Sequence, residues 1–147
     1  MRQSKRLEPV QRVMDGEQRR RAQTVAASER RVGECEVKLA ELQGYQHSYA
    51  QEFTRHAGRG MSGARVRDFQ TFLTRLGEAV RQQLEILARA RAERDEHIAA
   101  WRRASQRADM VGRVVIGRRN EERRGEEREE QRDTDERAAR GRGHHGE

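Results

Sequence analysis

After Pro9 the chain runs for more than 130 residues without another proline. Proline inside a helix removes a backbone hydrogen bond and clashes with the preceding turn, so its absence leaves long helices free to form. Ala, Arg, Glu, Gln and Leu dominate the same stretch, and all of them favour helix. A compact globule is excluded by composition. Only 33% of the residues are hydrophobic and 39% are charged, whereas a globular core draws on nearly half of a chain. What remains is disorder or a narrow apolar seam between long helices, and the spacing of the apolar residues selects the seam.

In the first half the seam runs through Leu7, Gln11, Met14, Gln18, Arg21, Val25, Ser28, Val32, Cys35, Leu39, Leu42, Gln46, Tyr49 and Phe53. Steps of three and four alternate throughout, which is the coiled-coil pattern. Val10 and Tyr45 widen the stripe, and the stretch from Gln18 to Ser28 is weak because polar residues hold several seam places. The period breaks at Gly58, Gly60 and Gly63, with Ser62 placed as an N-cap for a second helix. A second seam runs Val66, Phe69, Leu73, Leu76, Val80, Leu84, Leu87, Arg91, Arg94, Ile98, Trp101, Ser105, Ala108, Gly112 and Val115. Its consecutive four-residue steps around Val80 predict a local stutter that relaxes the supercoil.

Two seams of similar length joined by a short glycine-rich break predict an all-α fold, two long helices in an antiparallel coiled-coil hairpin with a charged C-terminal tail. The expected limits are a hairpin over 1–117, with helix one over about 7–56, a hinge at 57–63 and helix two over about 64–117. Each helix is then about 50 residues, or roughly 75 Å at 1.5 Å per residue. The register places Phe53 near Val66, Gln46 near Leu73, Leu39 near Val80 and Val32 near Leu87. The tail, 118–147, has only Ala138 and Ala139 as apolar residues. Opposite charges one turn apart, such as Arg123 and Glu127, support helix there by roughly 0.2–0.5 kcal/mol a pair. The tail is expected to be helical without packing and to fray at Gly141, Gly143 and Gly146.

The net charge of +7 is unevenly spread: residues 1–31 carry about +5 and 55–113 about +6, while 32–54 carry about −3. A basic body suits nucleic acid, an anionic surface or an acidic protein. No apolar run approaches 18 residues, so no membrane span or direct membrane insertion is expected. The N-terminus has no secretory pattern, which points to the cytosol.

Nothing in the chain has the spacing of an active site, and no enzyme activity is expected. His47, His56, His97, His144 and His145 have no cysteine or carboxylate at metal-ligand spacing, so neither a metal nor another cofactor is expected. Cys35 falls on the seam, where a thiol acts as a small apolar residue. Gly58-Arg59-Gly60 lacks the Gly-Lys-Ser/Thr element of a phosphate cradle.

The aromatic residues carry more information. Of the three Phe, two Tyr and one Trp, Tyr45, Tyr49, Phe53, Phe69 and Phe72 flank the hinge, and a hairpin gathers them at one tip. Trp101 stands alone. Phe72, Leu76, Ala79 and Gln83 lie at i, i+4, i+7 and i+11, and Lys38, Leu42, Tyr45 and Tyr49 form the matching line on helix one. Two helices provide no third layer to cover these lines, which are either local tip packing or an exposed docking strip.

At these residues the sequence resembles the flagellar FliJ family, the small coiled-coil component of the flagellar type III export apparatus. The resemblance rests on Leu42, Tyr45-Gln46 and Tyr49, the glycine-rich hinge, Phe69-Gln70 with Phe72, Leu76, Glu78 and Ala79, and Trp101-Arg102, and covers roughly residues 35–105. It implies a non-enzymatic antiparallel coiled coil similar to the central stalk subunit of rotary ATPases. It implies three partners: the ring of the flagellar export ATPase, the export gate membrane protein, and substrate-specific export chaperones. The implied location is cytoplasmic, peripheral at the cell membrane at the flagellar base. The implied gate-contacting residues are Leu42, Tyr45, Tyr49, Phe72, Leu76 and Ala79; Lys38 and Gln83 depart from the family pattern of glutamine and histidine. The ATPase ring is expected to meet the basic flank of Arg19, Arg20, Arg21, Arg30 and Arg31 and the region after Trp101.

Two other readings compete. A basic coiled coil could bind nucleic acid, but most arginines are interleaved with acids and the aromatics do not alternate with basic residues as a stacking platform requires. No nucleic-acid partner is therefore expected. A purely structural spacer would have no specific partner.

Overall fold

The computed structural model describes residues 2–144; Met1, His145, Gly146 and Glu147, with the end of the expected tail, lie outside the described residues. It contains two helices, α1 (Gln3–Ala57) and α2 (Gly63–His144), and no strand among the described residues. The fold is an all-α helical hairpin whose two helices pack against each other. The contacts divide into two compact units. One comprises Arg21–Trp101, and the other the chain up to Arg20 together with the chain from Arg102 onward.

In the unit Arg21–Trp101 the chain reverses over five residues. The end of α1 is closed by the amides of Gly58, Arg59 and Gly60, which donate to the carbonyls of Thr54, His56 and Ala57 at 3.1–3.3 Å. Gly60 has φ +83°, a left-handed conformation that glycine adopts without steric cost. Arg55 and His56 sit in the last turn of α1, where positive charge complements the helix dipole. Ser62 then caps α2, its Oγ accepting the Arg65 amide at 3.3 Å.

The core of this unit is Val32, Cys35, Leu87 and Ala90, with Leu39 and Ile86 packed against it. Val32 and Leu87 thus share one buried cluster, as the register predicts. The seam of α2, however, has a different phase from the one that leucine spacing predicts. Gln83 is 3% exposed and Leu84 is 46% exposed. Ala90 is buried where Arg91 is expected, and Arg91 is exposed. The seam therefore runs Leu76, Val80, Gln83, Leu87, Ala90 and Arg94 in steps of four and three, and no stutter occurs at Val80. A polar residue can hold the seam because its amide is satisfied: Gln83 Nε2 donates to the Cys35 carbonyl at 3.1 Å. Gln83 is accordingly not part of an exposed line.

In the other unit, α1 up to Arg20 faces α2 from Arg102 onward. Ala104, Ala108 and Val115 are its buried apolar residues, so Ala104 takes the place expected of Ser105. Polar pairs fill out the rest. Gln18 Nε2 donates to Ser105 Oγ at 3.2 Å. Arg107 pairs with Glu17 and Arg119 with Glu8, both at 3.1 Å, and Arg2 pairs with Glu126. As numbers rise on α1 they fall on α2, which makes the pairing antiparallel.

These contacts correct the expected boundaries. Helix α1 begins at Gln3, not near residue 7, and residues 119–126 pack on it rather than forming a separate tail. The reason is polar. Apolar periodicity ends at Ile116, but charged side chains continue the pairing. Helix α2 runs to His144 through Gly141 and Gly143, where the glycines predict fraying.

The seam phase is directly testable. Leu87→Ala should cost about 2–3 kcal/mol in urea unfolding, because it removes a buried side chain that α2 and α1 share. Leu84→Ala should cost less than about 1 kcal/mol. Equal losses would restore the leucine-based seam.

Candidate protein-docking surface

The aromatic residues near the hinge converge within the unit Arg21–Trp101. Tyr49 stands at the centre, with its ring centroid 5.0 Å from Phe69 and 4.3 Å from Phe72. Phe53 lies 5.6 Å from Phe69, and the His56 ring lies 6.0 Å from Phe69. These tilted arrangements are the favourable offset geometry of aromatic pairs. They tie the last turns of α1 to the first turns of α2.

The cluster is only partly covered. Tyr49, Phe53 and Phe69 are half-buried. Tyr45 is 63% exposed and Phe72 43% exposed. One turn before Tyr49 on α1, Tyr45 adjoins the ring that Phe72 packs on. Leu42, Leu76 and Ala79 are half-buried beside them. The six residues of the expected gate-contacting stripe therefore divide in two. Leu42, Tyr49, Leu76 and Ala79 face partly into the hairpin, while Tyr45 and Phe72 present most of the wet apolar surface. Lys38 is exposed on α1 and Gln83 is buried, so Lys38 is the departure that adjoins the stripe. It brings a cation to the border of the aromatic surface.

Sequence spacing could not show that Gln83 leaves the stripe. On an isolated helix Phe72, Leu76, Ala79 and Gln83 share a face, and only the Cys35 carbonyl on α1 shows that this face turns inward at Gln83.

The arginines are placed differently. Arg19 and Arg20 belong to one unit, and Arg21, Arg30, Arg31 and Trp101 to the other. All five arginines are exposed and Trp101 is half-buried.

The other unit carries the most polar junction of the chain. The first turn of α1 contains no acidic residue to offset its helix dipole. Glu122 of α2 supplies the charge instead: its carboxylate accepts the Ser4 amide at 3.1 Å and the Ser4 hydroxyl at 2.7 Å. The hydroxyl bond, followed by the amide bond, holds the Glu122 carboxyl below the usual glutamate value, with nearby Arg2 acting in the same direction and burial opposing. Cys35, by contrast, is a free thiol buried in the seam. No group of three or more His, Cys, Asp and Glu among the described residues is arranged to hold a metal.

The fold and its surface define a class: an all-α antiparallel coiled-coil hairpin of two long helices with partly wet aromatic side chains beside the hinge. Within that class the chain belongs to the FliJ family, whose model, Flagellar FliJ protein, matches residues 3–147. No curated protein and no solved structure matches the chain. Membership makes it a flagellar export-related component of a non-enzymatic family. No helix among the described residues is long and apolar enough to cross a membrane.

The Glu122 contact sets a pH dependence. Because its folded-state pKa is depressed, the contact contributes fully above the ordinary value of 4.5 and is lost as pH falls through the lower folded value. The NMR shift of the Ser4 amide should titrate with a midpoint below 4.5, and Glu122→Gln should abolish the titration. A midpoint at or above the ordinary value would show that the contact does not hold in solution.

Proposed function

We propose that this chain is the stalk-like partner of the flagellar export ATPase ring, that it docks on the export gate, and that it escorts substrate-specific export chaperones. Family membership supports the setting. The observation that carries the docking reading is the wet aromatic surface of Tyr45 and Phe72, held on the half-buried Tyr49. Large aromatics anchored on a rigid helix lose little conformational freedom on binding and dominate interface energetics. In this reading Leu42, Tyr45, Tyr49, Phe72, Leu76 and Ala79 meet the cytoplasmic region of the gate protein. Arg19, Arg20, Arg21, Arg30, Arg31 and Trp101 are assigned to the ATPase ring. Their guanidinium groups suit carboxylates, which they can engage in bidentate fashion. The protein acts at the cytoplasmic face of the membrane at the flagellar base, without entering the bilayer and without nucleic acid.

The Tyr45→Ala, Phe72→Ala double variant should weaken binding to the isolated cytoplasmic region of the gate by about 2 kcal/mol or more, roughly thirtyfold. Its circular dichroism should match the wild type. Unchanged affinity with intact helicity would remove the gate assignment. Loss of helicity would instead make these residues part of the hairpin core. Separately, reversing Arg30 and Arg31 to Glu should reduce stimulation of the export ATPase while leaving gate affinity within about twofold of the wild type, since exposed charges away from an interface contribute little to it.

A further inference from the structure

A second wet apolar surface lies away from the aromatic stripe, in the unit formed by the chain up to Arg20 and from Arg102 onward. Val10, Val13, Met110 and Val114 are between 41% and 65% exposed there. Val10 and Val13 are three residues apart on α1, and Met110 and Val114 four apart on α2, so each pair shares a helix face. The two faces meet along one flank. Leu7 and Val114 line a groove of about 320 Å³ together with Gln3, Arg6 and Arg118. Val10 stands seven residues before Glu17, and Val114 seven after Arg107, so both point the same way as the Glu17–Arg107 ion pair that closes the flank at 3.1 Å. The seam of this unit is already filled by Ala104, Ala108 and Val115. The flanking valines and Met110 therefore stand outside the filled seam, with 41–65% of their surface wet.

The charges on this groove indicate what covers it. Arg6 and Arg118 line it, and Glu121 pairs with Arg118 at 3.6 Å, so two cations and one carboxylate leave this border net positive. A second copy docking face to face would set these arginines against themselves, since a two-fold interface pairs a patch with its own image. The acidic stretch 126–136 of a second copy has the right sign but not one apolar side chain to fill the groove. A flank with Leu7 and Val10 about one turn apart on α1, Val114 on α2 and a net cationic border fits a third helix with the opposite border. We infer that the flank of Leu7, Val10 and Val114, bordered by Arg6 and Arg118, is a docking surface for an acidic amphipathic helix of another protein. This surface is separate from the gate-docking stripe, and its α2 side, Val114 and Arg118, lies in the region after Trp101.

The test uses the full chain and two fluorescein-labelled synthetic helices. Both have leucines along one face, bordered by glutamates in one and by lysines in the other. In fluorescence anisotropy the glutamate helix should bind at least tenfold more tightly. Val10→Ser with Val114→Ser should weaken that binding at least tenfold without changing circular dichroism, and Arg6→Glu with Arg118→Glu should reverse the charge preference. The Tyr45→Ala, Phe72→Ala variant should bind the glutamate helix as the wild type does, which separates this surface from the gate-docking stripe. Equal binding of the two helices, or wild-type binding by the serine variant, overturns the proposal. So does a dimer in sedimentation that the serine variant dissolves, because the occupant would then be a second copy.

Discussion

Two helices packed on each other have a single layer of side chains to bury, and the chemistry of this protein is set by that limit. A globular core surrounds its apolar residues on all sides, whereas a two-helix seam covers only those within about one position of the contact line. Any apolar side chain set further round the helix stays wet. The exposed rings of Tyr45 and Phe72, and the exposed Val10 and Val114, arise in this way. Contiguous apolar surface left in water is the kind that marks interaction sites.

The same limit explains why polar groups hold positions that leucine would take in a thicker core. At Gln83 the side chain reaches the Cys35 carbonyl across the seam. A buried polar contact of this kind costs stability compared with an apolar residue, and it penalises any register in which the amide loses its acceptor. At Glu122 the carboxylate caps the first turn of α1 through Ser4. That contact joins residues 118 positions apart in sequence, between segments with little apolar surface to bury. Salt bridges such as Arg107–Glu17 and Arg119–Glu8 are exposed and individually worth about 0–1 kcal/mol. They set alignment more than they add strength.

Much of this was legible in residue order. The apolar steps on α1 from Val32 to Phe53 coincide with its buried and half-buried positions. The glycines at 58, 60 and 63 mark the reversal, and Ser62 caps the helix after it. Hydropathy misled where a polar residue was satisfied by a distant partner. Leu84 is the better apolar residue, but Gln83 has the acceptor, and the acceptor lies on the other helix. The end of the apolar pattern at Ile116 likewise hid the pairing of residues 119–126 with α1, which charged side chains make. Of the candidate stripe, the convergence of aromatics followed from the hinge alone. Which of them remain wet did not, since exposure depends on what the opposite helix covers.

The sequence by itself determined that the chain is helical, that it turns back at its glycine cluster, and that it has too little apolar surface for more than one seam. These properties depend on local propensity and on a periodicity of three and four, both of which can be read along one strand of sequence. Only the tertiary structure decided the phase of α2, the burial of Gln83, the capping of α1 by Glu122, and the division of apolar residues between seam and exposed flank. Each of those depends on which atoms stand opposite across the hairpin, and no residue carries that information alone.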